Sequence, residues 1–186
     1  MIIDDFKVWM ICLGNDPRRD IVLPSWSGYD VNCFEAITPD TRHLVKEKLD
    51  FGDKVRHDYT IKPFSEAEKS LFTSHLLLWK KCCQLKEPFL ILEEDVMLEK
   101  PIPNSLDFQG LIPIANRSKG SKIVTPAAGY IIQPMHAKKM YEYFVVRKHK
   151  ITYNVDHVIE SRSDQHEWGR HAYAYQIEGE SSVAHF

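Results

Sequence analysis

Short apolar runs alternate along the chain with turn residues and with one long amphipathic segment. Three mostly apolar runs, at residues 7–13, 31–37 and 128–133, are bounded by polar or turn residues and predict strands. A fourth run, at residues 89–92, contains no polar position, which is typical of a central strand buried on both faces. The pattern therefore predicts a sheet with a fully buried middle.

The long amphipathic segment begins at Ser65. Ser65 and Glu68 have the spacing of a capping box, in which each side chain pairs with the other residue's backbone N–H. Apolar side chains then recur with a helical period as two neighbouring rows: Leu71, Leu78 and Leu85 in one, and Phe72, Leu76, Trp79 and Cys83 in the other. Such a wide apolar face predicts a helix that packs flat on the sheet and ends near Pro88. A second helix is predicted at residues 135–146, and a short surface helix at 42–48.

This order of strands and helices predicts an α/β sandwich with mostly parallel strands. The chain has 186 residues, a length that favours one domain. Neither a repeat nor a Gly/Ser-rich linker divides it, so we predict a single domain over residues 1–186.

Composition and charge exclude several classes of function. The 24 basic residues against 26 acidic ones give a net charge of −2, which predicts no nucleic-acid partner. The longest apolar runs are too short for a transmembrane segment, and residues 1–5 lack the pattern of a secretory signal. We therefore predict a cytoplasmic protein whose four cysteines are reduced core residues: Cys12, Cys33, Cys82 and Cys83.

The central apolar run leads directly into three carboxylates, Glu93, Glu94 and Asp95. Because side chains alternate along a strand, Glu93 and Asp95 are expected on one face and Glu94 on the other. Two carboxylates at the carboxyl edge of a parallel sheet are suited to Mg²⁺ or Mn²⁺. The alternative interpretation is that the chain simply leaves the core here and exposes its charges to water.

Several motifs occur together in a fixed order. Residues 64–68 (FSEAE), 74–80 (SHLLLWK) and 88–96 (PFLILEEDV) resemble glycosyltransferase family 25, the lipopolysaccharide-type enzymes that also include collagen galactosyltransferases. In that family a Ser-His-x-x-x-Trp helix precedes a strand that ends in Leu-Glu-Asp-Asp-Val. Three further stretches extend the resemblance over residues 7–185. They are the opening strand at 11–13 with Arg18 and Arg19 after it, the strand at 128–132 with the helix at 137–140, and the Val-Asp motif at 155–157. Two positions depart from the family pattern: Glu94 replaces an Asp, and Cys12 replaces an Asn.

The resemblance implies a GT-A-like three-layer α/β/α sandwich with a mostly parallel central sheet. It also implies transfer of a hexose, galactose or glucose, from a UDP-sugar to a hydroxyl of a glycan or lipopolysaccharide-type acceptor. The transfer would proceed with inversion and with help from Mn²⁺ or Mg²⁺. One alternative is an inactive module of the same fold that binds a nucleotide-sugar or glycan. Another is a metal-dependent phosphoesterase, which fits the acidic strand end but not the Ser-His-x-x-x-Trp helix.

The resemblance assigns the central chemistry to three carboxylates. Asp95 is the first choice as metal ligand, and Glu93 the second, as a metal ligand, a partner of the donor ribose or a catalytic carboxylate. Asp156 is the choice for the general base that takes the acceptor proton. Its alternatives are metal binding and the capping of a following helix.

The donor-binding set consists of Arg18, Arg19, His75, Glu94 and Tyr130. The two arginines follow the first strand, where a guanidinium would meet the donor phosphates or base, although surface arginines in a turn are the simpler interpretation. For His75 the resemblance implies a role in donor binding. The alternative is a structural histidine that holds a loop by a hydrogen bond. Tyr130 is a core residue or one whose hydroxyl lines the site.

Overall fold

The computed structural model describes residues 6–14, 16–57, 60–103, 105–106, 108–163 and 173–177, with eleven strands and four α-helices among them. The strands are β1 (Lys7–Cys12), β2 (Val31–Glu35), β3 (Phe51–His57), β4 (Thr60–Pro63), β5 (Phe89–Glu93), β6 (Val96–Leu98), β7 (Leu111–Pro113), β8 (Ala115–Asn116), β9 (Gly129–Ile132), β10 (Ile151–Tyr153) and β11 (Ala174–Gln176). The helices are α1 (Pro17–Val22), α2 (Glu66–Leu85), α3 (Pro134–Tyr141) and α4 (Val155–Arg162). Residues 1–5, used above for the signal-peptide prediction, lie outside the described residues.

The central sheet has five strands in the order β2-β1-β5-β9-β7. β1 pairs in parallel with β2 and β5, whereas β9 pairs antiparallel with both β5 and β7. The α/β class is thus confirmed, but the sheet is mixed rather than mostly parallel. A parallel neighbour requires a long crossover connection, and no helix lies between β7 and β9 to provide one.

The two faces of this sheet are covered differently. Phe89 and Ile91 of β5 face a core built with α2, α3 and α4, as the wide apolar face of α2 predicts. Leu90 and Leu92 face the other way, toward a second core. This second face is covered by α1, the 3₁₀ turn Leu23–Trp26 and the small sheet β6-β11-β8. Among the described residues, a full helical layer therefore covers only the first face.

The main helix and the central strand form as predicted. Ser65 caps α2 through its hydroxyl, which accepts from the Glu68 N–H, and the Glu68 carboxylate accepts from the Ser65 N–H. The helix ends at Lys86, which adopts the left-handed conformation with φ of 57°. Residues 89–92 are completely buried, which confirms the prediction of a central strand.

Two helices differ from their predicted extents. The segment 42–48 forms only the 3₁₀ turn Arg42–Leu44, which then gives way to extended backbone at Val45. The helix predicted at 135–146 is divided into α3 and a π-helical turn, Glu142–Val146. A further sheet, β10-β3-β4, was not predicted, because the alternation of polar and apolar residues is weak in its exposed strands.

The prediction that all four cysteines are reduced is wrong for Cys12 and Cys33, which form a disulfide between β1 and β2. Their Cα atoms lie 6.0 Å apart because the two strands are direct neighbours. Cys82 and Cys83 are free thiols. Disulfides are uncommon in the reducing cytosol, so this bond weighs against the predicted cytoplasmic location. None of the described helices is long and apolar enough to cross a membrane.

Candidate active site

A pocket with an empty volume of about 500 Å³ opens where the parallel strands β1, β2 and β5 end. In open α/β sheets this edge is where ligands bind. The lining mixes apolar and polar residues in equal number. The apolar ones are Ile11, Leu13, Ala36, Ile37, Pro39, Ala67 and Leu71, and the polar ones are Arg18, Thr38, Ser70, Ser74, Glu93, Glu94 and Asp95.

All three carboxylates of the acidic cluster line this one pocket. β5 ends at Glu93, and a turn containing Glu94 and Asp95 connects it to β6. The prediction that Glu94 points to the opposite face is therefore wrong, because side-chain alternation stops where the strand stops. Glu94 is almost fully buried, and its Oε2 accepts a hydrogen bond of 2.8 Å from the Leu13 N–H.

Arg18 connects the first helix with the acidic cluster. Its guanidinium lies 2.6 Å from Asp16 Oδ2 and 3.3 Å from Asp95 Oδ2. Asp16 also caps α1 by accepting from the Arg18 N–H, and its hydrogen bonds from Arg18 lower its pKa to about 2. Arg19 donates instead to the Gly14 carbonyl at 3.0 Å and does not line the pocket.

Burial and mutual repulsion raise the pKa of each carboxylate in the cluster. Burial, reinforced by the charge of Asp156, raises the pKa of Glu93 to about 8. Burial raises the pKa of Glu94 to about 7, and burial with the charge of Glu93 raises that of Asp95 to about 7. The cluster has one guanidinium beside it, so its carboxylates hold protons near pH 7, and additional positive charge in the pocket would favour their ionised forms.

The arrangement fits a cation that is shared with a ligand. Buried Asp95 Oδ1 has no hydrogen-bond partner among the described residues, and Glu93 is close enough to raise the pKa of Asp95. Across the described ranges, no group of three or more His, Cys, Asp or Glu side chains is arranged to hold a metal ion. One or two carboxylates completed by substrate phosphates is the usual way in which proteins hold Mg²⁺.

A fully buried hydrogen-bonded chain lies behind the pocket. Trp79 Nε1 donates to the Tyr130 hydroxyl at 2.8 Å, and that hydroxyl lies 2.9 Å from His75 Nδ1. Burial lowers the pKa of His75 to about 4, so its ring is neutral at pH 7. His75 Nε2 is buried without a hydrogen-bond partner among the described residues and lies 3.7 Å from Glu93 Oε1. His75 and Tyr130 thus support the acidic cluster from behind, and neither lines the pocket.

Asp156 lies in the first turn of α4, beside the acidic cluster. Asn154 caps this helix by accepting from the His157 N–H, so the alternative in which Asp156 caps the helix is wrong. Asp156 Oδ1 instead accepts from the Ala127 N–H at 3.0 Å. The next residue, Ala128, accepts from the Glu93 N–H at 2.8 Å, so the segment before β9 links the two carboxylates.

Comparison with known families identifies the chain. A family model, glycosyltransferase family 25 (LPS biosynthesis protein), matches residues 6–112, more than half of the sequence. The chain belongs to glycosyltransferase family 25. A comparison with curated proteins finds no match. The segment that matches the family contains Arg18, His75 and the acidic cluster, whereas Tyr130 and Asp156 lie beyond it.

Sequence analysis missed two residues that contact the site of this glycosyltransferase. Asp16 orients Arg18, and the Asp16-Pro17 pair, a cap followed by proline, was the available signal. Gln176 of β11 hydrogen-bonds the Asp95 side chain, which partly offsets the rise in the pKa of Asp95. No local pattern distinguishes Gln176, because its position depends on the pairing of β11 with β6.

Replacement of Glu94 tests its contact with β1. We expect Glu94→Ala to be less stable than Glu94→Gln by about 1–3 kcal/mol, because only the amide can still accept from the buried Leu13 N–H. Denaturant unfolding of both variants at pH 7 measures the difference. The same pair of substitutions at exposed Glu99 is the control, and equal stability of the two Glu94 variants would contradict the assignment.

The raised pKa values predict that stability falls as the pH rises. Between pH 6.5 and 8 the folded protein holds protons on Glu93, Glu94 and Asp95 that the unfolded chain has already lost. His75, whose pKa is lowered, contributes an opposite slope only below pH 6.5. We expect a loss of about 1–3 kcal/mol over this interval, or several degrees in Tm, measured by thermal unfolding in EDTA. A Tm that stays constant or rises between pH 6.5 and 8 would contradict the raised pKa values of the three carboxylates.

Proposed function

We propose that the protein transfers a hexose, galactose or glucose, from a UDP-sugar to a hydroxyl of a glycan or lipopolysaccharide-type acceptor. The observation that carries this proposal is the convergence of Arg18 and three carboxylates in one pocket at the carboxyl ends of β1 and β5. Family membership supports the reaction class. The arrangement of α2, α3 and the central sheet is consistent with a GT-A-like fold, which we propose as the closest description.

The mixed lining of the pocket suits a nucleotide-sugar, which has both apolar and charged parts. Leu13, Ile37 and Pro39 offer apolar surface for a flat base. Arg18 is the cationic group of the lining, and its pairing with Asp16 and Asp95 fixes the guanidinium beside the carboxylates. We therefore assign Arg18 to the diphosphate.

The acidic cluster is assigned to a divalent cation, Mn²⁺ or Mg²⁺, with Asp95 as the first ligand and Glu93 as the second. When bound, such a cation would neutralise the charge that develops on the leaving diphosphate. Glu94 fixes the turn that presents Asp95, through its hydrogen bond from Leu13. His75 places a neutral imidazole behind Glu93, with Nε2 3.7 Å from Glu93 Oε1.

Inversion requires a base on the acceptor side, and we assign this role to Asp156. The Ala127 N–H fixes its carboxylate next to the acidic cluster. The acceptor hydroxyl would give its proton to Asp156 while its oxygen attacks the anomeric carbon. Glu93, whose pKa is about 8, is the second candidate for this role.

Hydrolysis of the donor tests the proposal without knowledge of the acceptor. We expect the purified protein with Mn²⁺ to release UDP slowly from UDP-galactose or UDP-glucose, because an active transferase loses some donor to water. The control reaction contains EDTA in place of Mn²⁺. Binding of both donors without any release of UDP would favour the alternative, an inactive module that binds nucleotide-sugars.

A further inference from the structure

A second cavity, with an empty volume of about 760 Å³, lies between α3, the π-helical turn and α4. Basic side chains dominate its lining: His136, Lys139, Arg147 and Arg162. The one acid that lines it, Glu142, lies 3.8 Å from Lys138 at the cavity edge, which offsets its charge. The cavity therefore carries excess positive charge, opposite in sign to the acidic cluster.

The three cations of this cavity are not neutralised by described carboxylates, and one of them is restrained by an aromatic ring. Within the ranges that the structure describes, no carboxylate forms an ion pair with Lys139, Arg147 or Arg162. The Arg162 guanidinium lies over the Tyr143 ring, 4.9 Å from its centre, and Tyr143 in turn stacks on His149 at 3.8 Å. This cation–π contact restricts Arg162 and leaves its full charge available to a ligand.

His136 adds a buried polar atom to the same cavity. Its Nε2 is buried and has no hydrogen-bond partner among the described residues. The ring packs against Gly110, where a Cβ atom would lie 2.4 Å from Nδ1, so the glycine leaves the space that the ring occupies. Burial and the charges of Lys139 and Arg162 lower the pKa of His136, which places these three side chains near one another.

We propose that this cavity is a subsite for a phosphomonoester group carried by the acceptor, an inference that rests on the proposed function. Two guanidiniums and an ammonium match a doubly charged phosphate better than a singly charged carboxylate. Guanidinium N–H groups also fit phosphate oxygens in pairs.

The position of the cavity supports an acceptor rather than a donor ligand. Helix α4 contributes Asp156 to the active site from its first turn and Arg162 to the cavity from its last. Asp156 and Arg162 are six positions apart, which corresponds to about 9 Å along the helix axis and about a third of a turn around it. An oligosaccharide that extends along α4 from a hydroxyl at Asp156 would bring a phosphate on a neighbouring sugar toward Arg162.

Binding of small phosphates by the full chain tests this subsite. Amide chemical shifts would be followed during titration with glucose 6-phosphate, glucose and inorganic phosphate, in EDTA so that no divalent cation contributes. We expect saturable shifts around Lys139 and Arg162 with glucose 6-phosphate, and none there with glucose. The double variant Lys139→Gln/Arg162→Gln should lower this affinity at least tenfold, and Arg147→Gln, a milder change, should lower it severalfold.

The matched control is Lys54→Gln/Lys119→Gln, which removes two exposed lysines outside both pockets and should bind like the wild type. Unchanged affinity in the cavity variants, or shifts confined to other surfaces, would overturn the subsite. Glucose 6-phosphate that binds no more tightly than inorganic phosphate would overturn its assignment to an acceptor. Donor hydrolysis by the wild-type protein is scored separately, so failure of the proposed function is distinguishable from failure of this inference.

Discussion

The Asp95→Asn variant is expected to lose Mn²⁺-dependent binding of UDP and at least about 100-fold in donor hydrolysis. Asp95 has a buried oxygen, Oδ1, without a partner among the described residues, and the amide removes the charge that a cation requires. The same variant should melt at a higher temperature than the wild type at pH 8 without metal. The cause is that ionisation of Asp95 beside Glu93 is unfavourable there, as the raised pKa of Asp95 indicates.

Titration of UDP with and without Mn²⁺, together with melting curves in EDTA, measures both effects. Asp20→Asn is the matched control, because Asp20 is an exposed acid on α1 outside the pocket. It should leave both UDP affinity and Tm unchanged. Mn²⁺-dependent affinity that survives in Asp95→Asn would remove Asp95 from the metal site.

The Asp156→Asn variant is expected to bind the donor normally and to transfer sugar about 10²–10⁴-fold more slowly, the range for a removed general base. The asparagine keeps an Oδ1 that can accept from the Ala127 N–H, so the local structure should persist. Donor affinity from a binding titration and transfer rate from product formation are the two measurements.

The outcomes for Asp156 separate its possible roles. Loss of donor affinity together with transfer would assign Asp156 to the donor or metal shell. Normal transfer would leave it a structural link between α4 and the segment before β9. The control is Glu160→Gln, one turn further along the same helix, which should not alter transfer.

Features of this protein that depend on neighbouring residues were predictable from sequence. The capping box fixes the start of α2, because Ser65 and Glu68 lie within one helical turn. The burial of β5 follows from four consecutive apolar residues. Arg18 and the acidic cluster were found because Arg18 lies a short loop after β1, the cluster begins at the end of β5, and parallel strands end at a common edge.

Features that depend on long-range pairing were not predictable in the same way. The Cys12–Cys33 disulfide exists because β1 and β2 are neighbours, which the spacing of the two cysteines does not reveal. The side on which Glu94 lies depends on where β5 ends, and that end coincides with the hydrogen bond from Leu13, distant in sequence. Gln176 reaches Asp95 only through the pairing of β11.

The reversed direction of β9 determines which of its connections can influence catalysis. Because β9 runs opposite to β5, its entering segment reaches the active edge, and its exit leads to α3 at the far end. Loop exchanges between β8 and β9 should therefore change acceptor preference, since this segment holds Asp156 through Ala127. The exit of β9 leads through Gln133 into α3, which lines the proposed phosphate subsite and not the reacting centre. The direction of one strand therefore separates the part of the chain that positions the base from the part that holds the acceptor's phosphate.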